Sequence, residues 1–75
     1  LPLAPGAFTA TLLMPNLGKV QVRAGRREGR WEVELGFARR GSVERLRSQR
    51  GSCEAALATA MNSPVQLSMV DEAAA

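Results

Sequence analysis

Hydrophobic and polar residues alternate along the first half of the chain, which is the pattern of half-buried β-strands. Three strands are predicted, at residues 8–14, where both sides carry apolar or β-branched residues, at 19–24 and at 30–37. Residues 15–18 separate the first two as a tight turn or bulge, because Pro15 lacks an amide donor and Gly18 permits positive φ. Residues 25–29 place two glycines around charged residues and predict a hairpin loop.

The second and third predicted strands carry opposite charges on their outward sides. Lys19 and Arg23 lie on one strand, and Glu32 and Glu34 lie on the other. We expect them to meet across an antiparallel pair, with about 0.2–1 kcal/mol from each contact. The facing cations explain this carboxylate pair without the acid-base role of paired carboxylates in hydrolases. The inward side is predicted to be core, with Trp31 either core or an exposed interface anchor: Val20, Val22, Trp31, Val33, Leu35 and Phe37.

Helical spacing begins after Gly41, and Ser42 is the predicted N-cap. A glycine inside a helix costs about 1 kcal/mol relative to alanine. The sequence therefore predicts either one helix from Ser42 to Met61 that is weakened at Gly51, or two helices with a kink there. Residues 62–64 end the helix, and residues 65–69 alternate as a last strand. The helical stripe has Cys53 as a small buried member and Ala56 beside it; it comprises Val43, Leu46, Cys53, Leu57, Ala60 and Met61.

The element order strand, strand, strand, helix, strand predicts a small α+β domain. Its mixed sheet contains an antiparallel hairpin and is packed by one helix. A chain of 75 residues is one small domain or a piece of one. We expect a linker or fragment end at residues 1–7, the domain at 8–70 and a flexible tail at 71–75.

Composition argues against most catalytic chemistry. The chain has no histidine and one cysteine, Cys53, so it lacks the usual general base and the roughly four N/S ligands of a zinc site. No apolar run approaches the ~18 residues that a membrane span needs. We therefore expect no enzymatic activity, catalytic residue, metal, cofactor, small-molecule substrate or membrane insertion.

Charge is distributed in blocks along the chain. Residues 19–30 and 39–50 each carry a net charge of +4, whereas residues 31–38 carry −2 and residues 51–75 carry −3. Nine of the ten cations are arginine, which favours bidentate contacts to carboxylate or phosphate. They form either a solvated basic surface or a surface that binds acidic groups of a partner. The candidate partner-binding arginines are Arg26, Arg27, Arg39, Arg40, Arg45 and Arg47.

The stretch from Leu12 to Arg23 resembles the signature of the type III secretion substrate-specificity-switch domain. That domain ends the flagellar hook-length and injectisome needle-length control proteins. The signature has a proline-containing bend that ends in Leu-Gly, followed by alternating valines. It is matched here by Pro15, Leu17, Gly18, Val20 and Val22. Many members have two prolines before Leu-Gly, whereas this chain has Met14 and then Pro15. Among relatives it is most similar to the short control proteins of plant-pathogen Hrp secretion systems.

The resemblance implies a non-enzymatic regulator of protein export. Such proteins contact the cytoplasmic domain of the export-gate switch protein, an inner-membrane component that cleaves itself at an Asn-Pro bond. They end export of early pilus, needle or hook subunits and permit export of later substrates. The implied location is the bacterial cytoplasm at the export apparatus, and many members are themselves secreted. The bend, Pro15, Asn16, Leu17 and Gly18, then either contacts the partner or only fixes strand register.

The arginine content also suggests a second function class, a small nucleic-acid-binding module. Against it, the chain has only three aromatic residues, and all three are predicted to be core. Single-strand binding needs exposed aromatic side chains on which bases stack. The regulator is therefore the favoured hypothesis.

Overall fold

Residues 6–73 are described by the computed structural model, and they form one four-stranded sheet with a helical segment. This element order confirms the predicted small α+β domain. Residues 1–5 of the expected linker and 74–75 of the expected tail lie outside the described residues. The elements are β1 (Phe8–Met14), β2 (Gly18–Arg27), β3 (Arg30–Phe37), α1 (Ser42–Leu46), a 3-10 turn (Arg47–Gln49), α2 (Arg50–Met61) and β4 (Val65–Asp71).

The strands lie in the sheet in chain order, β1-β2-β3-β4. β1 with β2 and β2 with β3 form antiparallel hairpins, whereas β4 pairs parallel to β3. A parallel neighbour requires a crossover connection, and the helical segment provides it. Both helices contact β4, so the helical layer lies over one side of the sheet.

One face of the sheet carries the core. The register puts the even-numbered residues of β1 and β2 on the same face as the odd-numbered residues of β3 and β4. Because the helices lie against β4, this face is less covered towards β1. Val22, Trp31 and Leu35 were predicted to be core and are only half-buried. The buried hydrophobic residues are Val20, Ala24, Val33, Phe37 and Leu67.

The β2–β3 hairpin is longer than predicted. Gly25, Arg26 and Arg27 were expected in the loop, but they continue β2. Only Glu28 and Gly29 form the turn, with φ of 53° and 79°. Two successive positive φ angles meet the requirement of a type I′ turn, whose twist suits a hairpin. Gly29 adopts this conformation without steric cost, whereas the Cβ of Glu28 is strained in it.

The helical segment is interrupted, but not at the predicted position. The interruption is the 3-10 turn Arg47–Gln49, and Gly51 lies in the first turn of α2. The N-cap of α1 is Gly41, which corrects the prediction of Ser42; the Ser42 side chain is buried at 1% exposure. Asn62 adopts a left-handed conformation and ends α2 where the sequence predicted.

The interruption also changes which side of α2 faces the sheet. Its half-buried residues repeat at helical spacing as Arg50, Glu54, Leu57, Ala58 and Met61. The predicted stripe is wrong for two of its members, because Cys53 and Ala60 are exposed, and Ala56 beside them is exposed as well. The packed face of α2 therefore begins with two charged side chains.

The last strand extends further than predicted. Asp71 pairs with Phe37, and the backbone N–H of Glu72 donates to the Phe37 carbonyl oxygen at 2.8 Å. The sheet therefore includes the first two residues of the segment expected to be a flexible tail.

Candidate partner-binding surface

The β1–β2 turn brings together two groups of candidate residues that are distant in sequence. Pro15, Asn16 and Leu17 connect the strands, and Gly18 begins β2 with a φ of 71°, which favours glycine. Arg39, in the connection between β3 and α1, donates from Nη1 to the Asn16 carbonyl oxygen at 2.9 Å. The predicted bend and one predicted arginine thus form a continuous surface.

A second group lies at the opposite end of β2. The guanidinium carbon of Arg26 is 5.6 Å from the ring centroid of Trp31, a cation–π contact. The Trp31 ring in turn lies 6.2 Å from the Phe8 ring. Trp31 is therefore a half-buried aromatic beneath an arginine. Arg27 points to the other face, where its Nη1 is 3.7 Å from the Glu32 carboxylate.

The remaining candidate arginines lie at or near α1. Arg40 and Arg45 are exposed, and Arg47 donates to the Glu44 carboxylate, which raises the pKa of Arg47. Since α1 contacts β4, Arg45 in α1 lies on the β4 side of the sheet, whereas Arg40 directly follows Arg39. The candidate residues therefore form separate groups at the two ends of the β1–β2 hairpin and around α1, and not a single patch.

Between the two hairpin groups lies an apolar surface on β1 that the sequence analysis did not single out. Phe8, Leu12 and Met14 lie on the core-bearing face of the sheet and remain 45%, 46% and 40% exposed. Leu13, on the opposite face, is 82% exposed. The sequence did indicate this surface, because β1 has apolar residues on both of its sides, whereas a half-buried edge strand needs them on one side only. Contiguous exposed apolar surface is typical of interaction sites.

The outer edge of β4 is held by α2. Glu54 Oε2 accepts the backbone N–H of Leu67 at 2.9 Å, and Arg50 Nη1 donates to the Leu67 carbonyl oxygen at 3.0 Å. Arg50 also donates to Glu54 at 2.9 Å. The hydrogen bond from the Leu67 N–H, and to a smaller extent the one from Arg50, stabilise the charged carboxylate and hold the pKa of Glu54 below its usual range. This arrangement explains why α2 presents two charged residues to the sheet.

An ion-pair network occupies the polar face of the sheet. Arg23 donates to Glu34 at 2.9 Å, which confirms their predicted contact across the β2–β3 pair, and to Glu72 at 2.8 Å. The hydrogen bond to Glu72, above all, raises the pKa of Arg23. The predicted contact of Lys19 with these carboxylates is wrong: among the described residues, Glu32 pairs instead with Arg27 and Arg30, which flank the β2–β3 turn. These residues stabilise the sheet from the face opposite to Phe8, Leu12 and Met14.

The part of the chain that the structure describes shows no group of three or more histidine, cysteine, aspartate or glutamate side chains that could hold a metal ion. Within that same part, no helix has the length and apolar character needed to cross a membrane. Residues 6–73 have an apolar surface on the edge strand β1 and groups of arginines near it, and such features are typical of a binding surface.

Fold and surface together define a small α+β domain with a surface suited to protein contacts. Its structure is similar to the crystal structure of the PscP SS domain, with a TM-score of 0.77 and 27% sequence identity. The match covers 88% of this chain and 70% of that one. No protein-family model and no curated protein matches the chain.

The match confirms the resemblance to the type III secretion substrate-specificity-switch domain that the Pro-x-Leu-Gly-x-Val-x-Val signature indicated. It also supports a role in the control of type III secretion, since such switch domains are of a regulatory, non-catalytic kind.

Proposed function

We propose that this chain is a non-enzymatic regulator of type III secretion. It binds the cytoplasmic domain of the self-cleaving export-gate switch protein and turns export from early pilus or needle subunits to later substrates. It acts in the bacterial cytoplasm at the inner-membrane export apparatus. The Hrp systems of plant pathogens, in which secretion serves virulence, are the proposed setting.

One observation carries this proposal: the similarity to the PscP SS domain, with a TM-score of 0.77 over 88% of the chain. The surface described above is consistent with it, because the arginine groups and the exposed apolar residues suit a protein partner with acidic and apolar residues. The relation of the Pro15–Gly18 bend to Arg39 extends the candidate surface beyond the sequence signature.

Calorimetric titration of the folded chain with the export-gate cytoplasmic domain tests the proposal. We expect saturable binding with a defined stoichiometry. Undetectable binding at high micromolar concentration, with the chain shown to be folded by circular dichroism, would overturn it. A functional assay in the parent bacterium adds a second criterion, because deletion of the domain should prolong export of early subunits and abolish export of late ones.

A random oligonucleotide, titrated over a salt series, discriminates this proposal from nucleic-acid binding. Phosphate-driven affinity falls steeply as salt rises, because counterions released from the nucleic acid drive it. We expect weak oligonucleotide binding that disappears at physiological salt, whereas binding to the gate domain persists there. Salt-resistant oligonucleotide binding combined with no gate binding would favour the nucleic-acid module.

A further inference from the structure

We infer that β1 is a docking strand whose open edge and apolar face accept an extended segment of a partner protein. That segment has apolar residues at its centre and carboxylates at both ends. The inference deepens the proposed function and rests on it only for the identity of the partner, since the chemistry of the segment follows from β1 and its surroundings.

The hairpin geometry determines which backbone groups of β1 are free to pair. Arg27 and Arg30 flank a two-residue turn, and residues in that position exchange both of their backbone hydrogen bonds. Odd-numbered residues of β2 therefore bond to β3, in agreement with the bond from the Ala38 N–H to the Lys19 carbonyl oxygen. Even-numbered residues of β2 must then bond to β1.

Phe8, Ala10 and Leu12 of β1 pair with those residues of β2, so they direct their backbone N–H and C=O groups towards β2. Thr9, Thr11 and Leu13 direct theirs to the open side of β1. Within residues 6–73, no backbone or side-chain group is hydrogen-bonded to the N–H or C=O of these three. β1 thus presents an unpaired row of donors and acceptors.

The two edge strands of the sheet, β1 and β4, differ in whether their outward backbone groups are hydrogen-bonded. At the β4 edge, the outward N–H and C=O of Leu67 are taken by Glu54 and Arg50. Proteins commonly block sheet edges in such ways, because an open edge pairs with other chains. Since α2 blocks one edge and the described residues leave the other open, β1 is the edge at which strand addition can occur.

Apolar side chains accompany the open edge. Phe8, Leu12 and Met14 remain at least 40% exposed on one face, and Leu13 is exposed on the other. A strand added beside β1 continues both faces of the sheet, so its side chains cover these residues alternately. The centre of the added segment must therefore be apolar to bury this surface.

Charge defines the ends of the segment. Arg26 lies beside the Phe8 end of β1 through its contact with Trp31, and Arg39 lies at the other end through Asn16. Neither arginine forms an ion pair with a carboxylate among the residues that the structure describes. Six residue steps of β1 span about 20 Å, so a partner segment of about seven residues reaches both arginines with carboxylates near its ends.

The same charges disfavour a second copy of this chain as the occupant. Two β1 strands that pair antiparallel bring the Arg26 end of one copy beside the Arg39 end of the other. Like charges placed opposite each other destabilise strand pairing. The charges at the ends of β1 therefore favour an acidic partner over self-association.

Two probes test the inference: the export-gate cytoplasmic domain, and a capped peptide of alternating valine and threonine with a glutamate at each end. Thr11→Pro removes one outward N–H while proline remains tolerated on an edge strand. Thr11→Val is the matched control, because both variants lose the side-chain hydrogen bond to Gln21 but valine keeps the N–H. We expect Thr11→Pro to weaken binding of both probes by about tenfold or more, and Thr11→Val by less than about twofold.

A charge exchange tests the ends of the segment. Arg26→Glu combined with Arg39→Glu should abolish binding of the glutamate-ended peptide and create binding of a lysine-ended peptide. Arg45→Glu, made on α1 beside β4, changes net charge without altering the β1 ends and should leave peptide selectivity unchanged. Circular dichroism confirms that each variant is folded.

The outcomes separate this inference from the proposed function. Equal binding of the gate domain to the wild type and to Thr11→Pro overturns the docking strand and leaves the regulator proposal intact. Peptide binding that Thr11→Pro abolishes, without gate binding, supports the docking strand and overturns the regulator proposal. Binding of neither probe, equal binding of both peptides, or dimerisation through β1 by sedimentation without probe binding overturns the docking strand.

Discussion

The uneven cover of the sheet predicts that two leucines respond very differently to the same substitution. Leu67 in β4 is 3% exposed, whereas Leu13 in β1 is 82% exposed. Leucine to alanine removes three carbon atoms, worth about 0.8 kcal/mol each when fully buried. Scaled by burial, the transfer loss is about 2.3 kcal/mol at Leu67 and about 0.4 kcal/mol at Leu13. The cavity left at Leu67 raises its cost to about 3 kcal/mol or more.

Such a loss is large for this domain. A chain of 75 residues has a free energy of unfolding of about 4–11 kcal/mol. Leu67→Ala should lower Tm by about 12 °C or more and Leu13→Ala by about 3 °C or less. Thermal unfolding measures both shifts in Tm, and urea titration followed by fluorescence of the single tryptophan, Trp31, measures both losses in the free energy of unfolding. Leu13→Ala should still weaken partner binding, since its side chain borders the docking edge.

Comparable destabilisation by the two substitutions would refute the reasoning. It would mean that Leu13 is buried in solution, so that β1 does not have a free outer surface. A loss below about 1 kcal/mol at Leu67 would contradict the packing of α2 on β4. Unchanged binding by Leu13→Ala with unchanged stability would remove Leu13 from the interaction surface.

Three further predictions concern stability. Leu67 and Arg50 lower the pKa of Glu54 in the folded chain. The stability that this carboxylate contributes should therefore be complete at a pH above the ordinary pKa of glutamate, and it should be lost as the pH falls through that value and below it. Glu54→Gln should make the decline of Tm in acid less steep. Glu28→Asn should raise the free energy of unfolding by about 1 kcal/mol, because asparagine tolerates the positive φ of the turn better; an unchanged urea midpoint would count against strain there. Ser42→Ala should stabilise by about 1 kcal/mol, because the Ser42 hydroxyl is buried without a hydrogen-bond partner among the described residues; thermal unfolding that shows a loss would reveal a bond formed in solution.

The strands were predictable because their alternation is a local property. Residues 30–37 alternate along their whole length, and β3 has those bounds. The sequence predicted a longer loop in place of the type I′ turn. Glu28 is an unusual residue for positive φ, so the pair Glu28-Gly29 did not indicate a two-residue connection.

The interruption of the helix was not predictable at its true position. The sequence suggested Gly51, on the basis of helix propensity worth about 1 kcal/mol. The phase of α2 is instead set by Arg50 and Glu54, which bind the backbone of Leu67 across the tertiary fold. Such a contact joins residues more than a dozen positions apart, and no local pattern encodes it.

The candidate surface was predictable only in part. The signature located the bend at Pro15–Gly18, but not the bond from Arg39 to Asn16, which joins residues 23 positions apart. The apolar exposure of β1 was hidden for a related reason. Alternation shows which residues share a face, whereas the degree of cover depends on where the crossover helices lie.

The block at Leu67 also sets the valency of this protein. A sheet with two open edges can add molecules at each side and grow into a fibre, since every added copy offers a new edge. Here α2 occupies the centre of the β4 edge, so this chain has one edge, at β1, where a strand can be added. Each copy of the chain can then hold one added strand through β1. The protein can therefore be present at many copies beside its partners without linking them into polymers.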